Sequence, residues 1–215
     1  MTPLATDTDL LHWEPSLFID AAGAAQTLLS GTGTLAGTTF TIDSGSLEDA
    51  QIAPEHVITL SVPIDGCFPV LKIDSATELT LSVMYDQLDP AFPAGSPEAV
   101  SPGEGTGLSF HIRTFWPQRM SISQQILDAA GVAAEDIGTI VNPQALVRPC
   151  VLGTLFMIFN ALASGSSDTA LLTRSALYER LYQRSLRSAM VEIDSDLDGV
   201  IDERRSLSVV QLWRA

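Results

Sequence analysis

The chain has 215 residues, with 11 basic and 26 acidic residues and a formal net charge of -15. This length fits one domain or two small ones, and a hydrophobic fraction of 46% with 17% charged residues excludes disorder by composition. An acidic chain is also a poor coat for nucleic acid, because binding phosphates takes clustered cations.

The charge is unevenly distributed along the chain. Residues 1–112 hold one lysine and fifteen acidic residues, whereas residues 113–215 hold ten arginines and eleven acidic residues. Nearly all of the negative excess therefore lies in the first half. Such asymmetry indicates two surfaces with different neighbours, and a simple soluble acidic surface explains it equally well.

Cysteine usage and the apolar runs bear on the compartment. Cys67 and Cys150 are two cysteines in a long chain, which does not make a disulfide framework. The first 15 residues lack the basic and apolar regions of a signal peptide. The longest apolar run, residues 150–163, is shorter than the roughly 20 residues that span a bilayer. We expect a reduced protein, made in the cytoplasm, without a membrane partner.

Two helices are predicted at the start of the chain. Thr6 or Asp7 can cap a short helix over residues 9–13. Pro15 suits the first turn of a second helix, in which apolar side chains recur at helical spacing as far as about Ser30.

The pattern then changes to short runs rich in Thr, Val and Ile, separated by turn signals such as Ile64-Asp65-Gly66. These runs predict a small antiparallel sheet or barrel over about 32–86. The predicted strands are 34–35, 38–42, 57–62, 68–73 and 79–84. A Pro/Gly-rich acidic loop follows at 87–107, and the alternating segment 108–115 is predicted to return to the sheet.

The second half of the chain predicts three helices and a terminal strand. The helices are predicted at 117–130, at 143–163 with Asn142 as cap, and at 169–191 with Asp168 as cap. The last two form a helical hairpin, and its first helix is apolar enough to be buried nearly all round. The weakly alternating residues 206–213 predict a strand.

The predicted organisation has three regions. They are N-terminal helices at 1–31, an antiparallel β domain at 32–115 that includes the loop, and a helical domain with a C-terminal tail at 116–215.

Catalytic signatures are missing from the sequence. It has no Walker pattern, no Gly-x-Ser-x-Gly and no His-Glu-x-x-His, and its three histidines are isolated from one another. We therefore name no catalytic residue and expect that the protein is not an enzyme.

The sharpest local motif is an acidic loop near the C-terminus. Aspartates stand at positions 1, 3, 5 and 9 of a calcium-loop pattern, and these are Asp194, Asp196, Asp198 and Asp202. Gly199 at position 6 permits the sharp turn that such loops need. Position 12 departs from the pattern, because Arg205 replaces the bidentate Glu, and Glu203 at position 10 is the nearest substitute. The motif leaves two alternatives open, a Ca²⁺ site as the only candidate cofactor and a plain Asp/Gly turn.

Arginines recur along the last predicted helix, at Arg174, Arg180, Arg184 and Arg187. The last three are spaced by four and three residues and therefore share one helix face. Two interpretations remain, a solvated basic face and a docking face for an acidic partner such as the front half of a neighbouring copy.

Three segments of the second half carry a family resemblance. They are Ala-Leu-Tyr-Glu-Arg-Leu-Tyr-Gln-Arg within the helical hairpin, Ile-Arg-Thr-Phe-Trp-Pro-Gln-Arg at 112–119, and the block 143–153. Over about 108–215 the chain resembles the head-to-tail adaptor (neck or connector) proteins of tailed bacteriophages. The resemblance implies an α+β protein with a helical adaptor-like core and a long C-terminal helical hairpin, to which the antiparallel sheet or barrel is an insertion.

The resemblance also implies a role and partners. Such a protein is a structural component of the virion, whose copies form a ring that joins the portal to the tail and lines the DNA exit channel. Its partners are other copies of itself, the portal protein, tail or neck proteins, and double-stranded DNA that passes through the lumen without specific binding. The strand-rich front half keeps a tail terminator or another tail or neck component as the alternative, followed by a calcium-binding module.

Overall fold

The computed structural model describes residues 2–84, 99–166 and 168–207. These residues form two compact units. The barrel unit is residues 6–115, and the helical unit combines residues 2–5 with residues from 116 onward. The architecture is α+β, as predicted, and the barrel unit is inserted between the two pieces of the helical unit. The division into three regions with a boundary at 31/32 stays a prediction.

The barrel unit begins with a capped helix, α1, Asp7–Trp13. Thr6 is its cap, as one of the two predicted alternatives had it. The Thr6 hydroxyl accepts a hydrogen bond from the Asp9 backbone, and the Asp9 carboxylate accepts one from the Thr6 backbone. This reciprocal pair satisfies two amides that a helix start leaves without partners. The other candidate cap, Asp7, is fully buried and accepts hydrogen bonds from Thr114 and Phe115 instead.

The predicted second helix is mostly wrong. Helix α2 covers only Leu17–Asp20, and strand β1, Gln26–Ala36, occupies the stretch that was predicted to remain helical up to Ser30. The leucines of this stretch fit helical spacing, but they also fit a strand that pairs with the segment around Ile112. Long-range pairing overrides local propensity here.

Six antiparallel strands close into a barrel, in the order β1-β2-β5-β4-β3-β6. Closure depends on the last strand, which pairs with both β1 and β3. The predicted strand positions are confirmed, with some ends shifted. The strands after β1 are β2 Thr39–Ile42, β3 Val57–Leu60, β4 Gly66–Ile73, β5 Glu78–Leu81 and β6 Gly105–Thr114.

The predicted Pro/Gly-rich loop at 87–107 is only partly covered. Its residues up to 98 lie outside the described residues, and residues 105–107 belong to strand β6 rather than to a loop. The strand begins earlier than predicted because Gly105 still pairs, with Leu35 of β1.

The barrel interior is filled by apolar side chains from all six strands. Phe40 and Phe110 lie at its centre in edge-to-face contact, with ring centroids 5.3 Å apart. Gly33 makes this packing feasible, because a Cβ at that position would lie 2.5 Å from the Phe40 ring and 2.6 Å from the Thr41 carbonyl oxygen. The Phe40 ring therefore packs against the backbone of β1 more closely than any side chain at position 33 would allow.

The helical unit has three long helices and a small hairpin. The helices are α3 Trp116–Ala130, α4 Gln144–Ser164 and α5 Thr169–Ser188, and the hairpin strands are β7 Met190–Ile193 and β8 Glu203–Ser206. The predicted helical hairpin and its Asp168 cap are confirmed. Helix α5 ends before the predicted residue 191, because Met190 and Val191 pair with β8. The predicted strand at 206–213 lies outside the described residues beyond Leu207.

Asn142 does not cap α4 with its side chain, contrary to the prediction. Its amide nitrogen donates to the Met190 carbonyl and its amide oxygen accepts from the Glu192 backbone. Strand β7 competes successfully for this amide, and the segment before α4 is tied to it by a bridge between Ile140 and Ile193.

Helix α4 is the core helix of its unit. Every residue from 149 to 155 is buried, on all sides of the helix. Among the described residues it is the one helix that is long and apolar enough to cross a membrane by length and composition, and 56% of its most apolar window is buried within the protein. The helix is longer than the apolar run at 150–163, so the shortness of that run does not exclude a membrane span for this segment. Burial all round is typical of the core of a large helical unit.

Candidate functional site

The acidic loop connects β7 to β8, and its first aspartate organises it. Asp194 is only 5% exposed. Its two carboxylate oxygens accept hydrogen bonds from the backbone amides of Asp198 (3.2 Å) and Gly199 (2.8 Å). Leu197 and Gly199 both have positive φ, which folds the chain back over this carboxylate. The glycine identified from the sequence is therefore where the sharp turn needs it.

Three of the four predicted metal ligands come together. One carboxylate oxygen from each of Asp194, Asp196 and Asp202 can be chosen so that all three lie within 4.8 Å of one another. Asp198 is not part of this group, and its Oδ1 accepts a hydrogen bond from the Val200 amide. Oxygen ligands are what Ca²⁺ prefers, so the donor chemistry of the trio fits a hard cation.

The end of the loop is used for a different contact. Arg205 donates to the backbone carbonyls of Ala130 (2.8 Å) and Gly131 (2.9 Å) at the end of α3, and it also pairs with Glu203 at 2.6 Å. The guanidinium of Arg205 lowers the pKa of the Glu203 carboxyl. The residues at positions 10 and 12 of the motif are thus bound to each other and to α3.

The loop is complete as a hydrogen-bonded turn. The Asp202 carboxylate accepts from the Ser195 amide and the Asp196 carboxylate from the Asp198 amide. Each carboxylate oxygen keeps a further lone pair that a cation can use. The geometry therefore fits a weak Ca²⁺ site with three carboxylates, and it also explains how the same turn forms through backbone amides.

The second candidate site is a row of arginines on α5. Arg180, Arg184 and Arg187 are exposed and line one open groove of about 530 Å³, together with Glu179 and Gln183. Among the described residues, none of the three forms an ion pair. The spacing argument from the sequence is confirmed, since the three guanidinium groups share one helix face. We call this set the arginine row.

The fourth predicted arginine has a different environment. Arg174 is partly buried, with its guanidinium 5.4 Å from the centre of the Phe159 ring, and the same ring stacks on Tyr178 at 5.5 Å. A cation over an aromatic face stabilises the packing of α5 on α4. Arg174 is therefore separate from the arginine row.

The sequence did not reveal how α5 divides its apolar side chains. The buried face carries Ser175, Tyr178, Tyr182 and Ser185, whereas Leu172 and Leu177 are exposed at 53% and 44%. Gly153 of α4 explains the choice, because a Cβ there would lie 2.9 Å from the Tyr182 ring. Helix α5 therefore presents leucines at its N-terminal half and the arginine row at its C-terminal half to the outside. The small residues at these contact positions are the signal that could have found this face.

Two cysteines and one buried histidine also carry side chains that could be reactive. Burial raises the pKa of the Cys67 thiol to about 11 and also raises the pKa of Cys150, which disfavours thiolate nucleophiles at both positions. Both cysteines are free. His56 is buried, and its Nδ1 accepts a hydrogen bond from the Ala53 amide.

Comparison with protein families, with curated proteins and with solved structures found no match for this chain.

Proposed function

We propose that this chain is a structural virion protein, a head-to-tail adaptor whose copies assemble into a ring between the portal and the tail. The observation that carries the proposal is the arginine row, which is exposed, without ion pairs in the described chain, and borne by the long hairpin helix α5. The adaptor role itself comes from the resemblance of residues 108–215 to the phage neck proteins.

The physical argument concerns the type of interface. A ring subunit uses two different surfaces, so that one face of a copy meets another face of the next copy. A chain with net charge -15 whose described residues include exposed arginines without ion pairs offers surface groups of both signs. Arginine is well suited to such contacts, because its planar group binds carboxylates in a bidentate manner. The acidic remainder suits a channel through which DNA slides without sticking.

The fold is compatible with this role. The helical unit contains the α4–α5 hairpin, and the barrel unit precedes that hairpin in the chain. We propose that the hairpin contacts neighbouring copies and that the barrel unit extends the ring toward the portal or the tail.

The test begins with the purified full-length chain. Negative-stain images and sedimentation measure whether it forms rings, and a pull-down with portal rings measures the portal contact. We expect rings or portal-bound copies. A stable monomer that never associates with portal rings would rule the proposal out.

A second candidate is a tail terminator or another tail or neck component. This alternative is kept because the front half of the sequence is rich in strands, and the closed six-stranded barrel is the structure of that half. Location separates the two. Antibody labelling of intact particles at the portal vertex supports the adaptor, whereas labelling at the end of the tail supports the terminator.

A calcium-binding module is the third candidate, supported by the carboxylates of Asp194, Asp196 and Asp202. Its signature is a melting temperature that rises with millimolar Ca²⁺ and not with Mg²⁺. Absence of both heat and a shift in calorimetry removes this candidate.

A further inference from the structure

The second surface of the proposed ring contact is identifiable within the barrel unit. The connection between β2 and β3, residues 43–56, contains four acidic residues and no lysine or arginine. Asp43, Glu48 and Asp49 are exposed, and none of them forms an ion pair among the described residues. We call these three the acidic connection.

The acidic connection is held in a defined shape. Leu47 is fully buried in the barrel core and donates its amide to the Ala76 carbonyl at 2.8 Å. The Ser46 hydroxyl accepts from the Asp49 amide at 3.1 Å, and the Thr32 hydroxyl donates to the Asp43 carboxylate at 2.6 Å. Because the backbone is already ordered, binding would cost little loop entropy.

Asp74, another exposed acidic residue of the barrel unit, has a cation of its own. Lys72 forms an ion pair with Asp74, and the pKa of Asp74 is lowered by the hydrogen bonds from Lys72 and Thr80. Among the described residues, the three exposed carboxylates of the acidic connection have no such compensation.

The arginine row is opposite in charge to the acidic connection. Arg180, Arg184 and Arg187 extend over about 10 Å along the helix, at 1.5 Å per residue. They line an open groove whose only acidic side chain is Glu179. Three cations with one carboxylate among them fit a short acidic protein segment better than a duplex, whose binding takes many phosphate contacts.

We propose that the arginine row of one copy binds the acidic connection of the next copy, so that carboxylates of Asp43, Glu48 and Asp49 enter the groove on α5. The contact rests on the proposed ring assembly and names its two surfaces. The exposed Leu177 lies three residues before Arg180, on the same helix face, and adds apolar area to this interface.

Charge reversal on each side tests the contact. The first variant carries Arg180→Glu, Arg184→Glu and Arg187→Glu, the second carries Asp43→Lys, Glu48→Lys and Asp49→Lys, and the third carries all six substitutions. Each single-sided variant places like charges together, so we expect the concentration for half-assembly to rise about 100-fold or more. The third variant restores opposite charges and should regain assembly to within about tenfold of the natural chain.

A matched control has the same change in net charge at exposed acidic residues outside the connection. It carries Asp65→Lys, Glu104→Lys and Glu135→Lys, and it should assemble like the natural chain. Circular dichroism and thermal melting verify that every variant is folded, and sedimentation at 50 and 500 mM salt should show weaker assembly at high salt.

The outcomes separate the contact from the proposed function. A natural chain that forms rings, together with folded single-sided variants that also form them, overturns the contact and leaves the adaptor proposal standing. Failure of the six-substitution variant to regain assembly, or equal loss in the control, also overturns the contact. If the arginine variant still forms rings but no longer binds duplex DNA that the natural chain binds, the arginine row is a nucleic-acid contact instead. If the natural chain stays monomeric and does not bind portal rings, the proposed function itself is wrong.

Discussion

The two units of this chain use their cations in opposite ways. The barrel unit, residues 6–115, has two basic residues against fifteen acidic ones. Lys72 is paired with Asp74, and Arg113 donates to the Phe18 carbonyl and the Thr59 hydroxyl, both at 3.0 Å. Both cations of the barrel unit therefore bind groups of the same unit, and the unit keeps a large excess of negative charge.

The helical unit has nine arginines and eleven acidic residues, so its charge is close to balanced. Its arginines fall into two groups. Arg205 and Arg174 hold elements of the unit together, through α3 carbonyls and the Phe159 ring. The arginine row does neither. Among the described residues, these three exposed arginines form no ion pair and lie together on one helix face, which is the reason to expect a specific acidic partner.

The largest expected effect tests whether both units have a well-packed core. Phe110→Ala in the barrel and Phe159→Ala in the helical unit each remove a ring that is 1% exposed. We expect each to lower the free energy of unfolding by about 3–5 kcal/mol, measured by denaturant titration. Val62→Ala is the control, because Val62 is 78% exposed and should change stability by about 0.5 kcal/mol or less. A cost near that of the control in either unit would show a loosely packed core there.

The barrel unit has a buried carboxylate, Asp7, that accepts hydrogen bonds at the end of β6. Asp7→Ala leaves the Phe115 amide and the Thr114 hydroxyl without this acceptor in a buried position. We expect a loss of about 2 kcal/mol or more in the free energy of unfolding. Asp7→Asn keeps one acceptor oxygen and should lose less. Equal stability of all three proteins would mean that Asp7 has no structural role.

In the helical unit the acidic loop offers a pair of contrasting aspartates. Asp194→Ala removes a buried carboxylate that accepts two amides, and we expect it to cost about 1–3 kcal/mol. Asp196→Ala removes an exposed carboxylate and should cost about 0.5 kcal/mol or less. Denaturant titration without metal, repeated with millimolar Ca²⁺, measures both. If the two substitutions lower the free energy of unfolding equally, and do so only with Ca²⁺, the loop is a metal site instead of a hydrogen-bonded turn.

The smallest effect concerns thiol chemistry in the barrel unit. Because the pKa of Cys67 is raised to about 11, its thiolate fraction at pH 8 is about 100-fold below that of a thiol with a pKa of 9. We expect alkylation by iodoacetamide, followed by mass spectrometry, to be slower by that factor than for a small free thiol. The neutral form is favoured in the folded state, so this contribution to stability is complete below about pH 9 and is lost as the pH rises through about 11. Alkylation at the rate of a free thiol would contradict this environment.

Local patterns predicted much of the fold. The Thr6 cap, the strand positions and the α4–α5 hairpin followed from capping residues and from apolar spacing. The errors occurred where a segment had a distant partner. Residues 26–30 form strand β1 because β6 pairs with them, and Met190 leaves the predicted helix because β8 pairs with it.

The candidate sites divide in the same way. The spacing of the arginine row and the turn at Gly199 were predictable, because both depend on neighbours within a few residues. The exclusion of Asp198 from the carboxylate trio and the contact of Arg174 with the Phe159 ring were not, since both depend on side chains brought close by folding.

The sequence by itself determined the α+β class, the excess of acidic residues in the first half and the single face that carries the three arginines. These properties depend on composition and on local periodicity, which every stretch of chain expresses alone. Only the tertiary structure decided that the strands close into a barrel and that Arg205 donates to the carbonyls at the end of α3. It also decided that the arginine row and the acidic connection have no ion-pair partners among the described residues. Barrel closure and the choice of ion pairs depend on contacts between residues far apart in sequence, and such contacts form only when the chain folds.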